Sequence, residues 1–241
     1  MALYTDTHVG IRNIKAASSW MHDVLIGQGG AKDFGAPQHA PAWFIRENFP
    51  EHNSKVFFAA LRNPWDWYAS LFVHDQRAHA RPVTKAAFKK FLRRMTHHAE
   101  YKPQVNNFNP AAVSIAWKAS GKKSSPERGL YTAVLDYCSR DVDLFLAADR
   151  ISEGLAEIMG EPVQGQFAKP RNTQSTVESY EELYDDEMIE WVGAADEEVI
   201  RTYGFDPFHP SPFTVAQNQT FKSLTSEVHL EHEGGEIEVS M

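Results

Sequence analysis

Val56-Phe57-Phe58-Ala59-Ala60-Leu61 constrains this chain more than any other stretch. Six apolar residues in a row fit a central strand buried on both faces, the pattern of an α/β sheet rather than of a half-exposed ribbon. Arg62-Asn63-Pro64 ends the run. Asn63 is a good helix N-cap and Pro64 suits the first helical position, so a helix is expected to start there. Tyr68, Leu71 and Phe72 fall at i, i+3 and i+4 on its inner face. The strand therefore delivers Arg62 to the carboxyl edge of the sheet, beside a fresh helix N-terminus. A guanidinium, backbone amides and the helix dipole converging there make an anion site, and Ser70 adds a hydroxyl one face along. The plainer alternative is a strand–helix joint whose arginine pairs with a surface carboxylate.

At 241 residues the chain is read as one domain, 1–241, with 96–128 as a variable insertion and 223–241 as a tail hairpin. A net charge of −8 argues against a general nucleic-acid binder, without excluding a local basic pocket. Cys138 is the only cysteine, so no intrachain disulfide framework and no cysteine-rich metal site is expected. The first residues lack a signal-peptide pattern, and no run reaches the ~20 apolar residues of a membrane span. A cytoplasmic protein without membrane insertion is the expectation.

Upstream, a short strand centred on Val9 and Ile11 leads into Ile14-Lys15-Ala16-Ala17-Ser18-Ser19-Trp20. Ser18 or Ser19 is expected to cap a helix carrying Met21, Val24 and Leu25, ended by Gly27, Gly29 and Gly30. Small side chains let backbone approach an anion, Lys15 supplies a point charge and the serines supply hydroxyls. The Walker spacing GxxxxGK[ST] is absent, which argues against a P-loop kinase. Residues His39 to Asn48 enter a short helix. Thr84 caps another, with Phe88, Phe91, Leu92 and Met95 opposite a basic face (Lys85, Lys89, Lys90, Arg93, Arg94) that is read as solvated surface, or as a dock for an acidic acceptor. Helix 130–137, strand 142–147 and helix 152–159 follow. Asp185 or Asp186 then caps one long helix with Met188, Trp191, Val192, Ala195 and Val199 on one face, ending near Tyr203. Glu227–His232 and Glu236–Met241 read as an edge hairpin. Repeated strand–helix units predict an α/β domain with a central, mainly parallel sheet flanked by helices.

Two of these units together resemble the sulfotransferases that use 3′-phosphoadenosine 5′-phosphosulfate (PAPS). The first family signature is a strand, a P-K-[ST]-G-[ST]-T-W loop and a helix, and it stands here as Ile14 to Trp20. The second is a buried strand ending in R-[ND]-P with a serine eight residues after the arginine, matched by Arg62, Asn63, Pro64 and Ser70. The segment 180–208 also looks like the helix and ending near the family's C-terminus, while 96–128 has no clear counterpart.

The resemblance implies a P-loop-NTPase-like sulfotransferase architecture and transfer of a sulfuryl group to a hydroxyl or amine, leaving 3′-phosphoadenosine 5′-phosphate (PAP). Lys15, with Ala16, Ala17, Ser18 and Ser19, would hold the 5′-phosphosulfate; Trp20 would lie near the adenine or pack in the core. Arg62 and Ser70 would hold the 3′-phosphate at a second, widely spaced anion position, and Lys169, Arg171 or Asn172 could close over it. Ile14 and Ala17 replace the family's proline and glycine; a positive φ at Ala17 would store about 1 kcal/mol or more. As the base for the acceptor's proton the resemblance favours His39, with His8 and Glu47 in reserve. No metal is called for, since the protein's cations neutralise the donor. The acceptor, a small molecule, carbohydrate, lipid or peptide, is not legible, and a degenerate relative that binds nucleotide without catalysis is the alternative.

Overall fold

The computed structural model describes residues 2–36, 39–96, 129–165 and 179–219. In chain order the elements are β1 (Leu3–Tyr4), β2 (His8–Ile11), α1 (Ser18–Gly27), β3 (Lys32–Asp33), α2 (Ala42–Asn48), β4 (Val56–Leu61) and α3 (Pro64–Ala78). Then come α4 (Lys85–Thr96), α5 (Leu130–Ser139), β5 (Leu144–Ala147), α6 (Ile151–Met159), α7 (Asp186–Ala195), α8 (Glu197–Tyr203) and β6 (Val215–Gln217). The strands form one sheet in the order β3-β1-β2-β4-β5-β6.

The apolar run is the sheet's centre. β4 pairs in parallel with β2 on one side (Val9 against Phe57) and with β5 on the other (Phe58 against Leu144). Its side chains alternate between two cores. Phe57, Ala59 and Leu61 join the cluster beneath α2, α3, α4, α5, α7 and α8, while Phe58 and Ala60 join Trp20, Val24, Leu25 and Leu155 from α1 and α6. Burial on both faces is why polar residues never interrupt the run.

The expected mainly parallel sheet is corrected at its edges. Only β2, β4 and β5 run parallel; β1 pairs antiparallel with β2 and β3, and β6 antiparallel with β5, so the sheet is mixed. The reason at one edge is connection length: three residues join β1 to β2, enough for a hairpin and far too few for a crossover. Thr5 fastens that turn, its hydroxyl accepting from the His8 amide at 3.0 Å. At the other edge β6 is secured by Asn218, whose side-chain amide donates to the carbonyls of Ser139, Arg140 and Val142.

The single long helix expected after Asp185 is in fact two, α7 and α8, broken at Asp196. Asp196 is needed elsewhere. Its carboxylate is fully buried and accepts from the Thr132 amide (2.9 Å), the Thr132 hydroxyl (2.7 Å) and the Tyr68 hydroxyl (2.8 Å), closing the start of α5. A Cβ on Gly129 would stand 2.6 Å from the Asp196 carboxylate oxygens, so only glycine fits beside it. The basic face of α4 lies at the surface, with Lys85, Lys90, Arg93 and Arg94 exposed; there Lys89 pairs with Asp185 (3.0 Å) and Glu187 (2.6 Å), and Lys85 donates to the Tyr184 carbonyl. Among the described residues no helix is long and apolar enough to cross a membrane. The expected tail hairpin and residues 97–128 lie outside the described residues.

Candidate functional site

The parallel register of β2 and β4 sets the site. Both strands end at the same edge, so the Arg12–Ala17 loop and the Arg62 joint emerge about one strand spacing, ~5 Å, apart. Arg62 Nη1 donates to the Lys15 carbonyl at 3.0 Å. The Arg62 side chain thus reaches the backbone of the Lys15 loop, because no strand lies between the two joints.

The loop is held from several sides. Trp67 Nε1, on the first turn of α3, donates to the Ile14 carbonyl at 2.8 Å. Asn13 reaches the Ala60 carbonyl at 2.9 Å and accepts from Ser139 Oγ at 2.6 Å. The Arg62 amide donates to the Tyr131 hydroxyl at 3.2 Å, and that hydroxyl donates to the Arg62 carbonyl. Within this frame Lys15 (φ 59°) and Ala17 (φ 55°) both adopt the left-handed conformation, at about 1–2 kcal/mol each for residues bearing a Cβ. Backbone strain of this kind collects at binding sites, where surrounding contacts hold it in place.

Ala17, not a serine, is the N-cap of α1, and no side chain caps that helix. The expected serine cap fails because Ser18 and Ser19 already lie in the first helical turn, Ser18 buried and Ser19 exposed. The amides of that first turn have no partner within the helix, so the helix start is a natural anion acceptor. Lys15 is partly buried, and its ammonium is pushed down to about 8, first by burial and then by the Arg62 and Arg77 charges. Neither Lys15 nor Arg62 forms an ion pair among the described residues. The loop thus brings two cations, left-handed backbone and an uncapped helix start together.

Ser70 is buried on α3, the helix that follows Arg62. The same face continues through His74 and Arg77, which the sequence reading missed, although the spacing 66, 70, 74, 77 on one helix marks them. His74 is held below its ordinary range by burial and then by Lys15. Asp66, one turn before Ser70, is pushed up by burial, against the pull of Arg62, with Asp149 adding to the rise. Tyr180 was also missed; its ring lies 5.7 Å from the Arg62 guanidinium carbon, a cation–π cover.

His39 stands at the other end of the loop. Its Nδ1 lies 3.1 Å from the Arg12 carbonyl. A carbonyl can only accept, so Nδ1 carries the proton and Nε2 of the neutral ring is left with a lone pair. Burial lowers its pKa; the bond to Arg12 opposes this and the Arg12 charge adds to it. The reserves fall elsewhere: His8 begins β2, at the opposite edge of the sheet, and Glu47 is exposed in the last turn of α2. Trp20 is 3% exposed inside the α1–α6 core, leaving a ligand almost no ring surface, so packing accounts for it. Lys169, Arg171 and Asn172 lie outside the described residues.

Compared with known proteins, the chain matches no family model, no curated protein and no solved structure.

Proposed function

We propose that the protein is a PAPS-dependent sulfotransferase with a P-loop-like sulfotransferase architecture, acting on a hydroxyl or amine acceptor. The observation that carries this reading is the junction of the Lys15 loop and the Arg62 joint, two motifs 47 residues apart in the chain sharing a 3.0 Å hydrogen bond. Lys15, the backbone from Ala16 to Ser19 and the uncapped start of α1 hold the 5′ end of the nucleotide, and Arg62 with Ser70 takes the 3′-phosphate. The strained loop fits such a group, since a bound anion is what repays left-handed backbone at Lys15 and Ala17.

The donor, when bound, supplies a sulfuryl group already activated by its phosphate leaving group. His39 Nε2 takes the proton of the acceptor hydroxyl as its oxygen bonds to sulfur, and Lys15 Nζ meets the electron pair left on the departing phosphate oxygen. With a pKa of about 8, Lys15 is mostly charged at neutral pH.

Calorimetry with PAP tests the reading directly. Arg62→Ala is expected to weaken PAP by roughly tenfold to a hundredfold, the range for one charge-assisted contact, while scarcely changing adenosine 5′-phosphate. Equal losses for both nucleotides return Arg62 to a structural role. The second reading, a nucleotide binder without catalysis, draws on Ala17 occupying a left-handed position where glycine is unstrained. His39→Ala separates the two: a sulfotransferase loses turnover of labelled PAPS and keeps PAP affinity, whereas a pure binder has no turnover to lose.

A further inference from the structure

We infer that Arg12, which no family signature assigns, binds the transferred sulfuryl group and distinguishes PAPS from PAP. The inference rests on the sulfotransferase reading above. Arg12 follows the last residue of β2 and so stands at the same sheet edge as Lys15. Its guanidinium Nη2 donates to Ser19 Oγ at 3.0 Å, on the exposed side of the first turn of α1. Its own carbonyl holds His39 Nδ1 at 3.1 Å. One residue thus touches both the helix start that receives the 5′ end and the imidazole that receives the acceptor's proton.

The order of groups around the loop gives the assignment. At one end Arg62 lies against the Lys15 carbonyl; at the other, His39 lies against the Arg12 carbonyl. A donor with its 3′-phosphate at Arg62 and its 5′-phosphate at Lys15 must place sulfur between Lys15 and His39, since the attacking oxygen has to reach both sulfur and the base. The Arg12 guanidinium lies against Ser19 in the first turn of α1, and its charge acts on the His39 imidazole. The sulfuryl group carries peripheral oxygens that a planar guanidinium matches in geometry and charge.

Arg12 also has donor capacity to spare. Asp23 and Asp33 act on its charge from a distance, yet it forms no ion pair among the described residues. Its Nε is shut from solvent with no acceptor, an unsatisfied state for a charged donor group. A sulfonate at the Ser19 end would accept from the outer nitrogens of the guanidinium, which has no ionic partner among the described residues.

The test is calorimetry of the full chain with two probes, PAP and PAPS, on the native protein, Arg12→Met and Arg12→Gln. Arg12→Gln retains a donor for Ser19 and serves if the methionine variant does not fold. Loss of the guanidinium is expected to weaken PAPS by roughly tenfold, as for one charge-assisted hydrogen bond, and PAP by less than about twofold. Equal weakening of both nucleotides, or of neither, overturns the assignment of Arg12 while leaving the sulfotransferase reading intact. Failure of the native protein to bind either nucleotide overturns that reading, and the assignment with it.

Discussion

Two helix starts in this molecule meet the same physical problem in opposite ways. The first turn of any helix presents amides without intrahelical partners. At α5 the chain supplies its own anion: Asp196, fully buried, takes the Thr132 amide and hydroxyl and is steadied by Tyr68. At α1 it supplies none. The cap is a left-handed alanine, no side chain closes the turn, and Lys15 and Arg62 stand beside it without an ion pair among the described residues. A helix start filled from within is architecture; the one beside Lys15 and Arg62 is where the proposed function puts the 5′ end of the nucleotide.

The strongest way to break that contrast is to empty the filled start. Asp196→Ala leaves three buried donors without an acceptor and is expected to cost about 3 kcal/mol or more, read from urea unfolding at pH 7. A loss below about 1 kcal/mol would mean that water or a neighbour fills the cap as readily.

The second prediction concerns pH at the same residue. Burial pushes the Asp196 carboxyl up to about 6, against the three hydrogen bonds that favour its charged form. A folded pKa above the unfolded value of 3.8 gives a contribution fully present below about pH 4 and lost as pH rises through 6. Relative to Asp196→Asn, which does not titrate there, the native protein should lose up to about 3 kcal/mol of stability between pH 4 and pH 7. Parallel pH curves for the two proteins would refute a raised pKa.

At the open start the predicted pH dependence is of binding. The Lys15 ammonium, with a pKa of about 8 in the free protein, must be charged to attract an anion. PAP affinity should be constant below about pH 7 and fall severalfold between pH 8 and pH 9.5, a decline absent from Lys15→Arg because arginine stays protonated there. The smallest effect is expected from Ala17→Gly. Relief of the left-handed strain should stabilise the fold by up to about 1 kcal/mol, partly offset by the greater freedom of glycine in the unfolded chain. A melting temperature that falls instead would show that the Ala17 side chain contributes packing worth more than the strain.

What the sequence reveals follows from how local each cause is. β4, with an unbroken apolar run and an Asn-Pro stop, is legible because run length, cap and proline lie within nine residues, and Asn63 does cap α3 by accepting from the Trp65 amide. The helices α2 and α4 and the anion-friendly composition of the Lys15 loop are legible for similar reasons. The break between α7 and α8 is not, since its cause is the start of α5, more than fifty residues away. Nor is the adjacency of Lys15 and Arg62, which depends on β2 and β4 being neighbours. Arg12 has no signature to mark it and acquires its place only when β2 ends beside His39 and Ser19.

The two helix starts are also joined mechanically. The hydroxyl of Tyr131 both donates to the Arg62 carbonyl and accepts from the Arg62 amide, the Tyr131 amide donates to the Tyr68 hydroxyl, and that hydroxyl donates to Asp196. Edge-on and tilted contacts of Trp67 with Tyr68 and Tyr131, both at 5.1 Å, brace the same path, and Trp67 itself grips the loop at Ile14. The Lys15 loop is therefore bolted to the hydrophobic core by aromatic struts rather than suspended from its two ends. A site mounted this way keeps its shape before a ligand arrives, at the cost that damage deep in the core reaches it.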